Sequence, residues 1–199
     1  FRLITRKDEF ERVWEGIEEA LRVGLCPVKI NMVAIRGMND DEIESFAELT
    51  LRFPVTVRYI EYMPAGMGET WDERTLLPIP QIKARVEKVG KLIAMQQDRW
   101  DGPARRFRLE GALGEIGFIG AVSSHFCNEC NRLRLTADGK IRACLFSDEE
   151  IDLRRILREG GSDQDLKDQI FIALGKKPAK HQIDQQFKKC QRNMSAIGG

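Results

Sequence analysis

Residues 28–63, VKINMVAIRGMNDDEIESFAELTLRFPVTVRYIEYM, read as strand, helix, strand. VKINMVAI (28–35) is short, mostly apolar and rich in β-branched residues, which suits a strand buried on both faces. Its polar members Lys29 and Asn31 are two apart and therefore point the same way, inward if the strand belongs to a barrel. Gly37 and Asn39-Asp40 end the strand. Ile43, Phe46, Ala47 and Leu49 then recur at helical spacing, with Asn39 and Glu42 at cap-like positions. Phe53-Pro54 breaks the helix, and VTVRYIEYM (55–63) is the next strand. Strand, helix and strand at this spacing predict a right-handed βαβ unit of a parallel sheet. Two parallel strands do not make a stable sheet, so more are expected, upstream of Phe1. A chain that starts at Phe1, without methionine, and enters a helix signal almost at once suggests part of a longer protein.

Working outward, Phe10, Val13, Trp14, Ile17, Ala20 and Leu21 mark one face of an amphipathic helix. Thr5 and Asp8 resemble a capping box, and Gly24 and Pro27 supply the stop. On the other side, residues 64–78 form a connection. Pro80 then opens a helix that buries Ile82, Val86 and Val89 and stops at Gly90. Beyond it the texture changes to short runs, LIAMQ, RRFRLEG and IGFIGAV, as in a small antiparallel sheet of its own. A boundary near residue 95 follows, giving domains 1–95 and 96–199. Helices are expected from about Glu149 to Arg158 and from Ser162 to Gly175, and the polar tail 176–199 shows no strong period.

With 199 residues the chain can bury a real core, as one large domain or two small ones. Its 32 Lys+Arg nearly cancel 31 Asp+Glu, which argues against general nucleic-acid binding or adhesion to a membrane surface. No run approaches the roughly 18 apolar residues that a spanning helix needs. The five cysteines are odd in number, and three of them cluster at metal-ligand spacing instead of forming a disulfide framework, which suits a reducing, cytoplasmic setting.

Those three lie in FCNECNRLRLTADGKIRACLF (126–146): Cys127, Cys130 and Cys144 surround an alternating Arg132-Leu133-Arg134-Leu135. Two cysteines separated by two residues, with a third on the next strand, form a set that soft metals favour. The turn decides which way Cys144 points. A two-residue Asp138-Gly139 loop would place it opposite Leu133. A three-residue loop Ala137-Asp138-Gly139, with Gly139 left-handed, pairs Thr136 with Lys140 and Arg132 with Cys144, so that Cys130, Arg132, Arg134 and Cys144 share a face. The three-residue loop is expected. Spacing alone leaves open a four-iron, four-sulfur cluster with one iron free for a ligand and a structural zinc with a fourth ligand such as His125. Cys26 reads as a core thiol and Cys190 as an exposed one. Arg58, inside an apolar strand, either pairs with an acid such as Glu61 or faces a ligand cavity. Lys29 can snorkel to water, Met63 reads as core packing, and the terminal Gly198-Gly199 as a frayed tail.

Taken together, VKINMVAIRGMNDDEI, VRYIEYMP, the cysteine hairpin and the IGG ending resemble the GTP 3′,8-cyclase family, radical S-adenosylmethionine enzymes of molybdenum cofactor biosynthesis. The cysteine hairpin and the terminal glycines are the specific parts. The resemblance implies an α/β fold: the C-terminal part of an incomplete (β/α) TIM-type barrel followed by a small α+β iron–sulfur domain. It implies a 4Fe-4S cluster on Cys127, Cys130 and Cys144. It further implies GTP contacts at Lys29, Arg58, Arg132 and Arg134, an S-adenosylmethionine contact at Met63, and a catalytic tail at Gly198 and Gly199. The reaction implied converts GTP to 3′,8-cyclo-7,8-dihydro-GTP. The family's CxxxCxxC motif, which holds the other 4Fe-4S cluster, does not occur in these 199 residues, so the chain alone is expected not to cleave S-adenosylmethionine. An exposed barrel edge leaves room for a second copy, a homodimer. The alternative from another class is a zinc-stapled binding module whose arginines recognise a phosphate-bearing partner.

Overall fold

The structure is a computed structural model that describes residues 1–64, 71–97, 102–181, 192 and 194–197. The chain forms two compact units, Phe1–Glu61 with Leu77–Gly120, and Tyr62–Leu76 with Ala121–Gly199.

In the first unit β1 (Val28–Ala34) and β2 (Val55–Glu61) run parallel, joined through α3 (Ile43–Arg52), as the pattern predicts. The sheet is extended from downstream. β3 (Leu92–Ala94), β4 (Arg105–Leu109) and β5 (Glu115–Ile119) form an antiparallel meander whose last strand pairs parallel with β2, giving the order β1-β2-β5-β4-β3. These runs were expected to form a separate sheet, and a cut near residue 95 would divide this one. The physical reason is that β2 has a second row of backbone donors and acceptors to satisfy, and the apolar Ile116 and Phe118 continue its buried face.

The core lies on that face. Met32, Ala34, Val57, Tyr59, Ile116 and Phe118 pack against Ile43 and Ala47 of α3 and against Ile82 and Val86 of α4 (Ile79–Val86). Each fully buried aliphatic side chain here contributes about 1.5–3 kcal/mol. The buried Tyr59 hydroxyl donates to the Ile43 carbonyl at 2.7 Å. Pro80 stands in the first turn of α4 as expected, and the unpaired N–H of Ile79 donates to the buried Glu61 carboxylate at 2.8 Å.

Several local expectations are corrected. β1 is buried on one face only: Val28, Ile30, Met32 and Ala34 face the core side, where α3 and α4 pack, while Lys29, Asn31 and Val33 on the opposite face are exposed. Asn39 does not cap α3. Its amide donates to the Val33 carbonyl (2.9 Å) and accepts from the Ile35 N–H (2.8 Å), thereby closing the end of β1. Thr5 and Asp8 form no capping box for α2 (Phe10–Arg22), since Thr5 belongs to a separate turn, α1 (Arg2–Thr5), and bonds Lys7. No residue of α2 is fully buried; it packs through Trp14, edge-on to Phe53, and through Leu21.

The second unit is built on three short antiparallel strands, β6 (Arg134–Leu135), β7 (Lys140–Arg142) and β8 (Ile151–Asp152). β8 takes residues expected to be helical, so α5 runs only over Leu153–Arg158, with the Asp152 side chain accepting from the Arg155 N–H at 2.9 Å. α6 (Asp163–Gly175) starts at a Ser162–Asp165 capping box and ends at Gly175, as the sequence predicts. A small apolar cluster joins the fully buried Ile197 to Leu145, Met63, Phe146 and Met194.

Candidate metal and ligand site

The hairpin adopts the three-residue turn. Arg134 pairs with Arg142 and Leu135 with Ile141, and the Thr136 N–H donates to the Lys140 carbonyl at 2.8 Å. Gly139 has φ +81°, and a Cβ on it would lie 2.7 Å from Arg154 Cβ, so conformation and space both require glycine. This register carries Arg132 and Cys144, just beyond the ladder, toward each other. Arg134 is half-buried among Arg132, Arg142, Cys144 and Cys130. Burial first, and then Arg132, hold its guanidinium below the ordinary value, against the two cysteines.

Cys127, Cys130 and Cys144 are free thiols, all half-buried. Cys127 lies in a 3-10 turn (Cys127–Glu129), and the Cys130 N–H donates back to the Cys127 carbonyl at 3.2 Å. Burial works to raise the Cys130 pKa, but the Arg132 N–H, Lys177 and the Arg132 charge outweigh it and hold the thiol below its ordinary value. That favours the thiolate, the form that binds metal. Among the described residues, no three His, Cys, Asp or Glu side chains converge where a single metal ion could sit. Zinc needs four ligands around one point, and His125 instead packs its ring edge-on against His181. Ligands of an iron–sulfur cluster are spread over several irons, so three thiols on one hairpin with adjacent cations are a chemically suitable donor set.

Arg132 lies over the Phe126 ring, its Cζ 4.9 Å from the centroid, and its Nη2 is buried without a hydrogen-bond partner. A buried guanidinium donor with no acceptor suits an anionic ligand. Sequence reasoning missed two residues here. Lys177, just past α6, donates to the Arg132 carbonyl at 2.7 Å. Arg142, fully buried, donates through Nε to the Ser147 carbonyl (3.0 Å) and pairs with Asp148 (3.0 Å). The basic pair Lys176-Lys177 after the end of α6 is a usable signal for Lys177; nothing in the pattern of β7 marks Arg142 as buried.

In the first unit Lys29 and Arg58 share the face of the sheet opposite the core. Arg58 Nε donates to Asn31 Oδ1 at 2.7 Å. Glu61 points to the other face, so the expected alternative of an Arg58–Glu61 pair does not form. Gly117 stands beside Arg58 on β5, and a Cβ there would come within 3.1 Å of Arg58 Cγ. Met63 does pack in a core, that of the second unit beside Leu145. Cys26, expected as a core thiol, is exposed next to Pro27 in the connection before β1. Gly198, Gly199 and Cys190 lie outside the described residues, but Met194–Ala196 form a 3-10 turn and Ile197 is fully buried, so the chain just before the glycines is anchored and not frayed. No helix among the described residues is long and apolar enough to cross a membrane.

Residues 55–183 match the family model described as Molybdenum Cofactor Synthesis C. The chain is similar to the GTP 3′,8-cyclase of Heliobacterium modesticaldum (47% identical over 201 residues, covering 100% of this chain and 62% of the relative). It is likewise similar to those of Thermodesulfovibrio yellowstonii (46% over 200 residues, 100% and 61%) and Syntrophomonas wolfei (43% over 200 residues, 100% and 61%). The chain thus spans about three fifths of the length of the curated relatives it matches. Because the family model covers both strands of the cysteine hairpin and most of the first unit's sheet, the chain belongs to the Molybdenum Cofactor Synthesis C family.

Proposed function

We propose that this chain provides the substrate-binding part of a GTP 3′,8-cyclase, a lyase of molybdenum cofactor biosynthesis. The first unit is read as the last strands of a radical S-adenosylmethionine barrel and the second as an iron–sulfur domain. In this reading Cys127, Cys130 and Cys144 hold a 4Fe-4S cluster, which when bound supplies an open iron to a substrate atom. Arg132 and Arg134 offset the charge of the three thiolates and offer donors to the anionic nucleotide. Arg132 Nη2 is the donor that still needs an acceptor. Lys177 steadies the Arg132 backbone and favours the Cys130 thiolate. Lys29 and Arg58 are proposed as GTP contacts on the first unit's polar face, Arg58 being oriented by Asn31. Met63 is proposed to contact S-adenosylmethionine, and Gly198 and Gly199 to act as a catalytic tail. Free thiols throughout the described residues suit a reducing cytoplasm. The observation that carries the reading is the hairpin register, which groups Cys130, Cys144, Arg132 and Arg134.

The test is anaerobic reconstitution of the chain with iron and sulfide, followed by GTP binding. About four iron per chain, lost in Cys127→Ser, Cys130→Ser and Cys144→Ser, is the expected result. One tight zinc per chain and no iron would instead favour the zinc-stapled module. Since the 199 residues contain no CxxxCxxC motif, the chain alone forms no 5′-deoxyadenosine from S-adenosylmethionine; detecting that product overturns this part of the reading.

A further inference from the structure

The segment that contains Arg192 is tied to the cysteine hairpin by that side chain. Arg192 Nη1 and Nη2 donate to the two Asp138 carboxylate oxygens at 3.0 and 2.9 Å, and Nη2 also donates to Glu150 at 2.9 Å. Asp138 sits in the turn of the hairpin, and Glu150 directly precedes β8, the third strand of the same sheet. Lys140 bridges the same two acids at 3.7 and 3.4 Å, and Arg142 lies 3.6 Å from Glu150. A planar guanidinium matched to a carboxylate in this two-point fashion fixes direction as well as distance, which a lysine does not. Two residues beyond Arg192 the chain enters the Met194–Ala196 turn, and Ile197 then buries completely against Leu145, the residue after Cys144. The tail is therefore held at the turn end of the hairpin by charge and at the cysteine end by apolar burial.

We propose that Arg192 is a positioning residue, a latch that fixes the Met194–Ala196 turn and Ile197 on the cysteine hairpin through Asp138 and Glu150. The latch does not depend on the function proposed above. Arg192, first, and the Thr136 hydroxyl hold the Asp138 carboxyl well below the ordinary carboxylate range, which favours the charged pair.

Hydrogen exchange of the whole chain, read at the Met194 to Ile197 amides, tests it. Arg192→Gln loses about tenfold in protection there, as expected for charge-assisted bonds set against local opening, while the β1 and β2 amides and the Ile141 amide are unchanged. Arg192→Lys keeps part of the protection, and Asp138→Asn together with Arg192→Gln loses no more than Arg192→Gln alone, because both remove the same contact. Unchanged protection in Arg192→Gln overturns the proposal. Loss spread evenly over the second unit also overturns it, because Arg192 would then be an ordinary stabilising residue. Iron content after reconstitution is measured on the same variants. A chain that binds no iron but shows the local loss keeps the latch and fails the cluster reading; the reverse result separates them equally well.

Discussion

Lys177 illustrates how one side chain outside the motif sets the chemistry inside it. Its ammonium touches the Arg132 carbonyl and helps hold the Cys130 thiol below its ordinary value. Lys177→Met is expected to move the onset of Cys130 alkylation by iodoacetamide to higher pH in metal-free protein, with Cys26 as an internal reference because it is exposed and remote in sequence. An unchanged alkylation profile counts against the role. Ile197 is the matching apolar case. A fully buried isoleucine in so small a cluster, replaced in Ile197→Ala, costs about 2–5 kcal/mol, read as lost protease resistance at the tail with the first unit's stability intact. Tyr59→Phe removes the buried hydroxyl that bonds the Ile43 carbonyl and costs about 1–3 kcal/mol in thermal or urea unfolding.

At the level of elements, α3 and α4 are joined by Glu44 and Arg85, which form a two-point ion pair with Nε to Oε1 at 2.8 Å. The Arg85 hydrogen bond is the main reason the Glu44 carboxyl sits below its ordinary value. A carboxyl depressed in the folded state stabilises fully above its unfolded pKa, near 4.3, and loses that contribution as pH falls through the folded value. Glu44→Gln therefore flattens the acid limb of the stability curve and costs about 1 kcal/mol at neutral pH, measured by urea titration at several pH values. In the hairpin, Gly139→Ala meets both a positive φ and the Arg154 side chain. It should cost about 1–3 kcal/mol and loosen the register that groups the cysteines, seen as lower iron content after reconstitution.

For the molecule as a whole, the two compact units differ in what completes them. The first has an apolar core of helices on one sheet face. The second has a small apolar group around Leu145 and Ile197 and a network of ion pairs, so the proposed iron–sulfur cluster would have more to add there. Binding that favours the folded state raises its stability by mass action. Reconstitution with iron and sulfide is expected to raise exchange protection across residues 127–146 and leave β1 to β5 unchanged; equal gains in both units would count against a cluster held by the hairpin alone.

What the sequence determined by itself was local and periodic: the parallel pairing of β1 and β2, the Pro80 helix start, the Ser162 box, and the turn of the hairpin, where Gly139 and an alternating run leave few registers open. The tertiary structure alone decided what depends on distant partners. The β3-β4-β5 meander joined β2 because an unpaired strand edge is costly, a demand no window of sequence displays. Asn39 and Glu61 went to a strand end and a helix start instead of the partners their spacing suggested. The cysteines and Arg132 could be recognised from spacing, but the contact made by Lys177 could not: it reaches Cys130 and the Arg132 carbonyl from beyond the end of α6, and that contact exists only once the chain has folded.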